Sequence, residues 1–324
     1  ENGAFMTVRC VKRSNGQCDR VMNGNIRIGD NDYDLRLAEA DVTSRNVFDF
    51  PDLLGTQYIL RNQANSQRYV SNKRKSDKRI KDMYWIEVLV LIDSSTWDFF
   101  VSLTKEHGTQ TNLAGIDVGI DAQATRRIQE YFSHIINGVN LRYNEIKDSS
   151  IEISVTLQGF QIFQKENDTA YVNSLVKSSE GKSYVDVNKY LDSIGKMDAK
   201  SGFFAPYDHA MLFTRHALFD RTNNGTKGRS ELFGICLPGK RISVIQGNDY
   251  FELVHLGTHE LGHNLGADHD GEGDAKDCPA NGLFIMTPNI PRSYPGKPYS
   301  RNPWLFSRCS VRTFKVKLKQ RHCL

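Results

Sequence analysis

The sequence predicts an α/β domain with a largely parallel sheet. Two observations carry this expectation. Short apolar runs alternate along the chain with longer segments whose apolar residues recur at helical spacing, and strands separated by helices pair in parallel. The length of 324 residues suits one large domain, alone or with a smaller segment, and is ample for a core.

Taken in order, "GNIRIGDNDYDLRL" alternates apolar and polar residues around "GDND", the pattern of a β-hairpin. Residues 71–81, "SNKRKSDKRIK", carry the basic pairs Lys73-Arg74 and Lys78-Arg79 and only Ile80 as an apolar residue. Such a run reads as an exposed linker, where proteolytic nicking concentrates. "YWIEVLVLID" (84–93) reads as a buried strand. Residues 124–146 place Ile128, Phe132, Ile135, Val139 and Ile146 at helical spacing, and "IEISVTLQGFQIF" (151–163) alternates as a strand. "SYVDVNKYLDSIG" (183–195) reads as a helix with Ser183 as N-cap and Gly195 as stop. "HAMLFT" (209–214) and "LFGIC" (232–236) read as short strands, and residues 249–266, free of Pro and ending on Gly266, as a helix. No internal repeat or low-complexity segment interrupts the series.

Composition narrows the function. Hydrophobic content of 39% and charged content of 25% are ordinary for a globular protein. A net charge of +4 is too mild for a dedicated nucleic-acid binder. The longest apolar run falls far short of the ~20 residues that span a bilayer, so no membrane span is expected. The chain begins at Glu1 without an initiator Met, as a fragment or processed form would. Six cysteines without a CxxC pair read as disulfides, and Asn167 and Asn224 begin glycosylation sequons. Together these features point to a secreted, oxidising setting.

The chemistry concentrates in "HELGHNLGADHD" (259–270), which holds three of the nine histidines. On a helix His259 and His263 lie one turn apart on one face, within reach of one ion. Glu260 sits about 100° round from His259, suited to a general base acting on metal-activated water. Leu261 and Leu265 point away from the metal and anchor the helix. Gly266 permits a left-handed backbone that stops the helix and brings His269 to the same ion. Three histidine nitrogens leave the fourth position of a tetrahedral Zn²⁺ open, the mark of a catalytic site. A bare HExxH is a weak signal; the full HExxHxxGxxH, with Met286 ("LFIMTP") downstream, is far more specific. His255 has no following acid and reads as a surface or helix-start residue. His107, His134, His209, His216 and His322 have no partner spacing.

On these motifs the chain resembles the reprolysin (adamalysin) branch of the metzincins, the family of snake-venom and ADAM-type metalloproteases. Asp270 directly after the third histidine, "FIMTP", "FSRCS…HCL", "YWIEVLVLID" and "YDHAMLFT" carry the resemblance over nearly the whole chain. It implies a twisted, mostly parallel five-stranded sheet, an active-site helix and a small irregular C-terminal subdomain. Residues 1–79 would be the end of a β-rich prodomain, and 80–324 the catalytic domain. The edge strand "ELFGICLPG" (231–239) would pair with extended peptide substrates, and "TPNIPRSYPG" would wall a substrate pocket.

The resemblance also implies disulfides Cys236–Cys323 and Cys278–Cys309, zinc as cofactor, and a Ca²⁺ site at Glu87, Asp208 and the Cys323 carbonyl. The family's last calcium ligand would lie beyond Leu324. Cleavage after Lys78-Arg79 would release the enzyme. No cysteine lies between Cys18 and Cys236, so inhibition by the prodomain is expected to be steric, with no thiolate on zinc. Two departures stand out: 271–286 is longer and more acidic than in venom enzymes, and no disintegrin segment precedes Leu324. The expectation is a secreted, monomeric zinc endopeptidase of venom, saliva or tissue. The competing class is a catalytically weak protease scaffold acting as a binding toxin, which the intact Glu260 and histidines disfavour.

Overall fold

The computed structural model describes residues 81–106, 119–164, 174–179, 181–220, 225–288 and 302–324, together with the backbone of the strands in residues 3–62. The chain divides into two compact units, Glu1–Asp77 with Arg292–Arg301, and Lys78–Pro291 with Asn302–Leu324.

In the first unit, β1 (Gly3–Lys12), β2 (Cys18–Ile28), β3 (Asn31–Leu37), β4 (Val47–Asp49) and β5 (Gln57–Asn62) form an antiparallel sheet in the order β1-β2-β3-β5-β4. The expected hairpin is β2–β3, with Ile28 opposite Asn31. Cys10 and Cys18 lie opposite Arg20 and Lys12 in the β1–β2 ladder.

The second unit is a mixed α/β fold. It runs β6 (Asp82–Ile92), α1 (Ser94–Glu106), α2 (Ile120–Asn144), β7 (Ile151–Ile162), β8 (Val176–Ser179), β9 (Lys182–Asp186) and α3 (Val187–Ser201). There follow β10 (His209–Thr214), β11 (Ala217–Phe219), β12 (Gly228–Ser230), β13 (Ile242–Gln246), α4 (Tyr250–Asn264) and α5 (Arg308–Lys317). The main sheet has the order β12-β13-β10-β6-β7, parallel except for β12, which pairs antiparallel with β13. A smaller sheet, β11-β9-β8, lies elsewhere in the unit.

Residues of β6 alternate between two cores. Val88, Val90 and Ile92 pack with Ile128, Phe132, Ile135 and Val139 of α2 and with Val254 and Leu261 of α4. Leu89 and Leu91 pack with Tyr190 and Ile194 of α3 and with Leu212 and Val244. Helices cover both faces, which is why the strand reads as one continuous apolar run. Among the described residues no helix is long and apolar enough to cross a membrane.

Three local expectations are corrected. The helix expected at 183–195 starts later: Ser183 lies within β9, and Asp186 is the N-cap, its side chain accepting from the N–H groups of Asn188 and Lys189. Gly202, at φ 61°, ends that helix. Gly195 lies inside it, where a Cβ would come 2.5 Å from the Gly239 carbonyl oxygen, so this glycine serves close packing.

The expected strand 232–236, and with it the edge strand 231–239, is a run of turns. Phe233 and Cys236 take positive φ. The N–H groups of Phe233 and Ile235 bond the carbonyls of His263 and Asn264 at the end of α4, His263 O also accepting from Gly266. The edge strand is Gly228–Ser230 instead. The unexpected elements include α1 and β13; the latter is five buried residues too short to stand out by periodicity.

Candidate metal centre

Helix α4 starts at Asp249, whose side chain accepts from the Glu252 N–H, and Leu261 and Leu265 anchor it in the core. Its end is a Schellman motif: Gly266 N–H bonds His263 O, Ala267 N–H bonds Gly262 O, and Gly266 has φ 104°. A Cβ would strain that backbone, so glycine makes the reversal that turns the chain toward His269.

The reversal brings three imidazoles together. Nε2 of His263 lies 3.1 Å from Nε2 of His259 and 3.1 Å from Nε2 of His269. His259 Nδ1 donates to Ile285 O at 2.7 Å, and His263 Nδ1 donates to Ala267 O at 2.8 Å. A carbonyl only accepts, so in the neutral rings Nε2 carries the bare lone pair. His269 Nδ1 lies 3.4 Å from Glu272 Oε2.

Burial, followed by the neighbouring histidines, holds His259 well below the usual histidine range, and burial also brings His263 down to about 4. Three lone pairs at this spacing repel unless they share a cation. Tetrahedral zinc–nitrogen bonds would set the nitrogens about 3.3 Å apart. The donor set therefore fits a zinc ion.

Glu260 follows His259 on α4. It is buried, and its Oε2 has no hydrogen-bond partner among the described residues. Burial pushes its carboxyl up to about 8, while the positive charge of Arg229 works the other way. The carboxylate presses against Gly228 of β12, where no side chain stands in its way.

Below the histidines Met286 is fully buried, and a Cβ on Gly262 would meet its Sδ at 2.6 Å. Asp270 fastens this floor. Its N–H bonds Met286 O, and its Oδ1 accepts from Ser307 Oγ at 2.6 Å, the cap of α5. His255 is corrected: it is buried, not on the surface, with Nδ1 3.2 Å from Pro303 O and its ring edge-on to Trp304.

Of the other expected residues, Cys236–Cys323 and Cys278–Cys309 form disulfides. Asp208 Oδ2 accepts the Glu87 N–H at 2.8 Å, and Asp208 stands beside Cys236 and Cys323. Burial raises the Asp208 pKa against the hydrogen bond from the Glu87 N–H, which lowers it. Asn167, Asn224, Lys78, Arg79 and the pocket wall from Asn289 onward lie outside the described residues.

Sequence reasoning missed Gly228, Arg229 and Asn264. Nothing in the local pattern marks the first two, because their tie to Glu260 spans about thirty residues of chain. Asn264 sits inside the motif itself, and its Nδ2 donates to Ser230 Oγ, Glu231 O and Lys240 O.

Comparison with known proteins agrees with this geometry. The reprolysin-type model of Metallo-peptidase family M12 matches residues 83–301. The chain is 27% identical over 297 residues to "A disintegrin and metalloproteinase with thrombospondin motifs like" of Bombyx mori, covering 86% of this chain and 37% of that protein. It is 26% identical to "A disintegrin and metalloproteinase with thrombospondin motifs 2" of Homo sapiens, covering 82% and 18%. It is 27% identical to "Venom metalloproteinase 1" of Eulophus pennicornis, covering 46% and 34%. The chain thus spans well under half the length of these curated relatives.

Proposed function

The chain belongs to the reprolysin-type Metallo-peptidase family M12, and from that premise we propose that it is a secreted zinc endopeptidase cutting extended segments of extracellular proteins. The single observation that carries this is the convergence of three Nε2 lone pairs, 3.1 Å from His263 to each neighbour, next in sequence to a buried Glu260 whose Oε2 has no hydrogen-bond partner among the described residues. His259, His263 and His269 would hold the ion. Zinc, when bound, polarises the scissile carbonyl and acidifies water.

The chain's own residues supply the rest. Glu260 accepts the proton of the attacking water and returns it to the leaving amine. The Ile285 and Ala267 carbonyls hold two imidazoles in the tautomer that leaves Nε2 free. Strand β12, at the sheet's edge, offers main-chain groups with which an extended peptide can pair.

In this reading residues 1–79 are the end of a prodomain freed by cleavage after Arg79, and 80–324 act as a monomeric catalytic domain. The relative named as a venom metalloproteinase supports a toxin setting. The alternative, a binding protein on a disabled protease scaffold, is disfavoured by the intact Glu260.

The test is Glu260→Gln in protein beginning at Ile80. Zinc content should stay at one per chain while peptide hydrolysis falls by about 10²–10⁴-fold. Near-normal hydrolysis by the variant sinks the assignment. An active secreted form whose sequenced N-terminus still includes residues 1–79 refutes the processing step.

A further inference from the structure

Strand β12 abuts Glu260 through Gly228 and is an edge of its sheet among the described residues. Its three residues divide by face. Gly228 backs onto Glu260, and Ser230 Oγ accepts from Asn264 Nδ2 at 3.1 Å, so both turn toward α4. Arg229, between them, is exposed.

Two neighbouring cations do have partners. Lys227 reaches Gln246 Oε1 at 2.9 Å and Glu252 at 3.5 Å. Arg241 is buried against Asp198 at 3.2 Å and donates to Tyr207 O. The Arg229 side chain has no hydrogen-bond or ion-pair partner among the described residues, while its backbone pairs with Val244 of β13.

A guanidinium with no side-chain partner among the described residues therefore stands on the strand that an incoming peptide would extend. Side chains directly opposite one another across an antiparallel pair come within reach, and opposite charges there attract. A guanidinium also presents paired N–H donors that match a carboxylate. We propose that Arg229 makes this site select an Asp or Glu side chain at one substrate position within about three residues of the scissile bond. This inference rests on the endopeptidase reading and names the substrate class of that same site.

The test is a matched set of peptides around one cleavable core, with Ala, Asp, Glu or Lys placed in turn at each of the three positions on either side of the cut. The rate ratio within one enzyme preparation cancels any loss of folded protein. Wild-type protein should prefer the acidic peptide at one position by about two- to fivefold, less at high salt. Arg229→Gln should bring that ratio close to one, and Arg229→Glu should shift the preference to Lys. An acidic preference absent from the wild type, or unchanged in Arg229→Gln, overturns the inference while leaving the endopeptidase reading standing. If zinc-loaded wild-type protein cleaves no peptide at all, the endopeptidase reading fails, and this inference with it.

Discussion

At Gly228 a hydrogen in place of a side chain leaves room for the Glu260 carboxylate. A Cβ there would lie 2.8 Å from Glu260 Cδ and closer still to Oε1. The neighbour that must give way is the end of a flexible side chain, so stability would change little, by about 1 kcal/mol. The proposed proton acceptor, however, would be pushed out of line, and small displacements of a catalytic group are costly in rate. Gly228→Ala is expected to lower kcat by about tenfold or more while zinc content and melting temperature stay near wild type. Unchanged kcat would show that Glu260 does not depend on that space.

At the scale of the element, α4 is held at its C-terminal end by a buried polar network. Asn264 ties three acceptors in the 230–240 segment, and its Oδ1 accepts from Nδ1 of His209 on β10 at 2.9 Å. His209 Nε2 then accepts from Ser243 Oγ at 2.9 Å, which is the neutral ring's pattern. Burial brings His209 down to about 4.

The unfolded ring titrates near 6.5, so below that pH the unfolded chain binds the extra proton and stability falls with pH. The loss begins as pH drops through about 6.5 and, at roughly 1.4 kcal/mol per pH unit, reaches on the order of 3 kcal/mol by about 4. Urea unfolding of zinc-loaded protein at pH 7 and pH 4.5 should show this slope. His209→Gln should be less stable at pH 7 and flatter in pH, with the zinc contribution common to both proteins. Equal slopes in the two proteins would exclude His209 as the source.

For the whole molecule, the Cys236–Cys323 disulfide closes 87 residues of sequence and fastens the C-terminal segment to the turns that follow the edge strand. Asp208 lies against that junction, and its Oδ2 accepts from the Glu87 N–H on the neighbouring strand. A Ca²⁺ held by Glu87, Asp208 and the Cys323 carbonyl is a further part of the proposed function. Oxygen ligands suit the ion, and a half-buried Asp208 gains by its charge. Millimolar calcium should raise the melting temperature of zinc-saturated protein by a few degrees, through binding to the folded state alone. Asp208→Asn should abolish the rise. A melting temperature indifferent to calcium in the wild type would remove the site.

The zinc motif was legible in the sequence because its parts are local. His259 and His263 share a face through helix periodicity, and Gly266 reverses the chain within three residues of His269. The parallel sheet was legible for a similar reason, since a strand buried on both faces, such as β6, shows as an unbroken apolar run. Tertiary structure decided where local signals compete. "SYVDV" alternates like a strand yet runs into a helix, and only its pairing with β8 and β11 settled the boundary at Asp186. "LFGIC" has the composition of a strand, but its Phe233 and Ile235 N–H groups bond carbonyls at the end of α4, and the segment runs as turns. Arg229 could be placed beside Glu260 only once the sheet had formed, because residues about thirty apart in sequence meet through strand pairing and helix packing. The amino-acid order by itself determined which atoms can bind zinc. Folding decided which strand borders them and which charge the substrate meets there, because those neighbours are set by long-range packing and not by local periodicity.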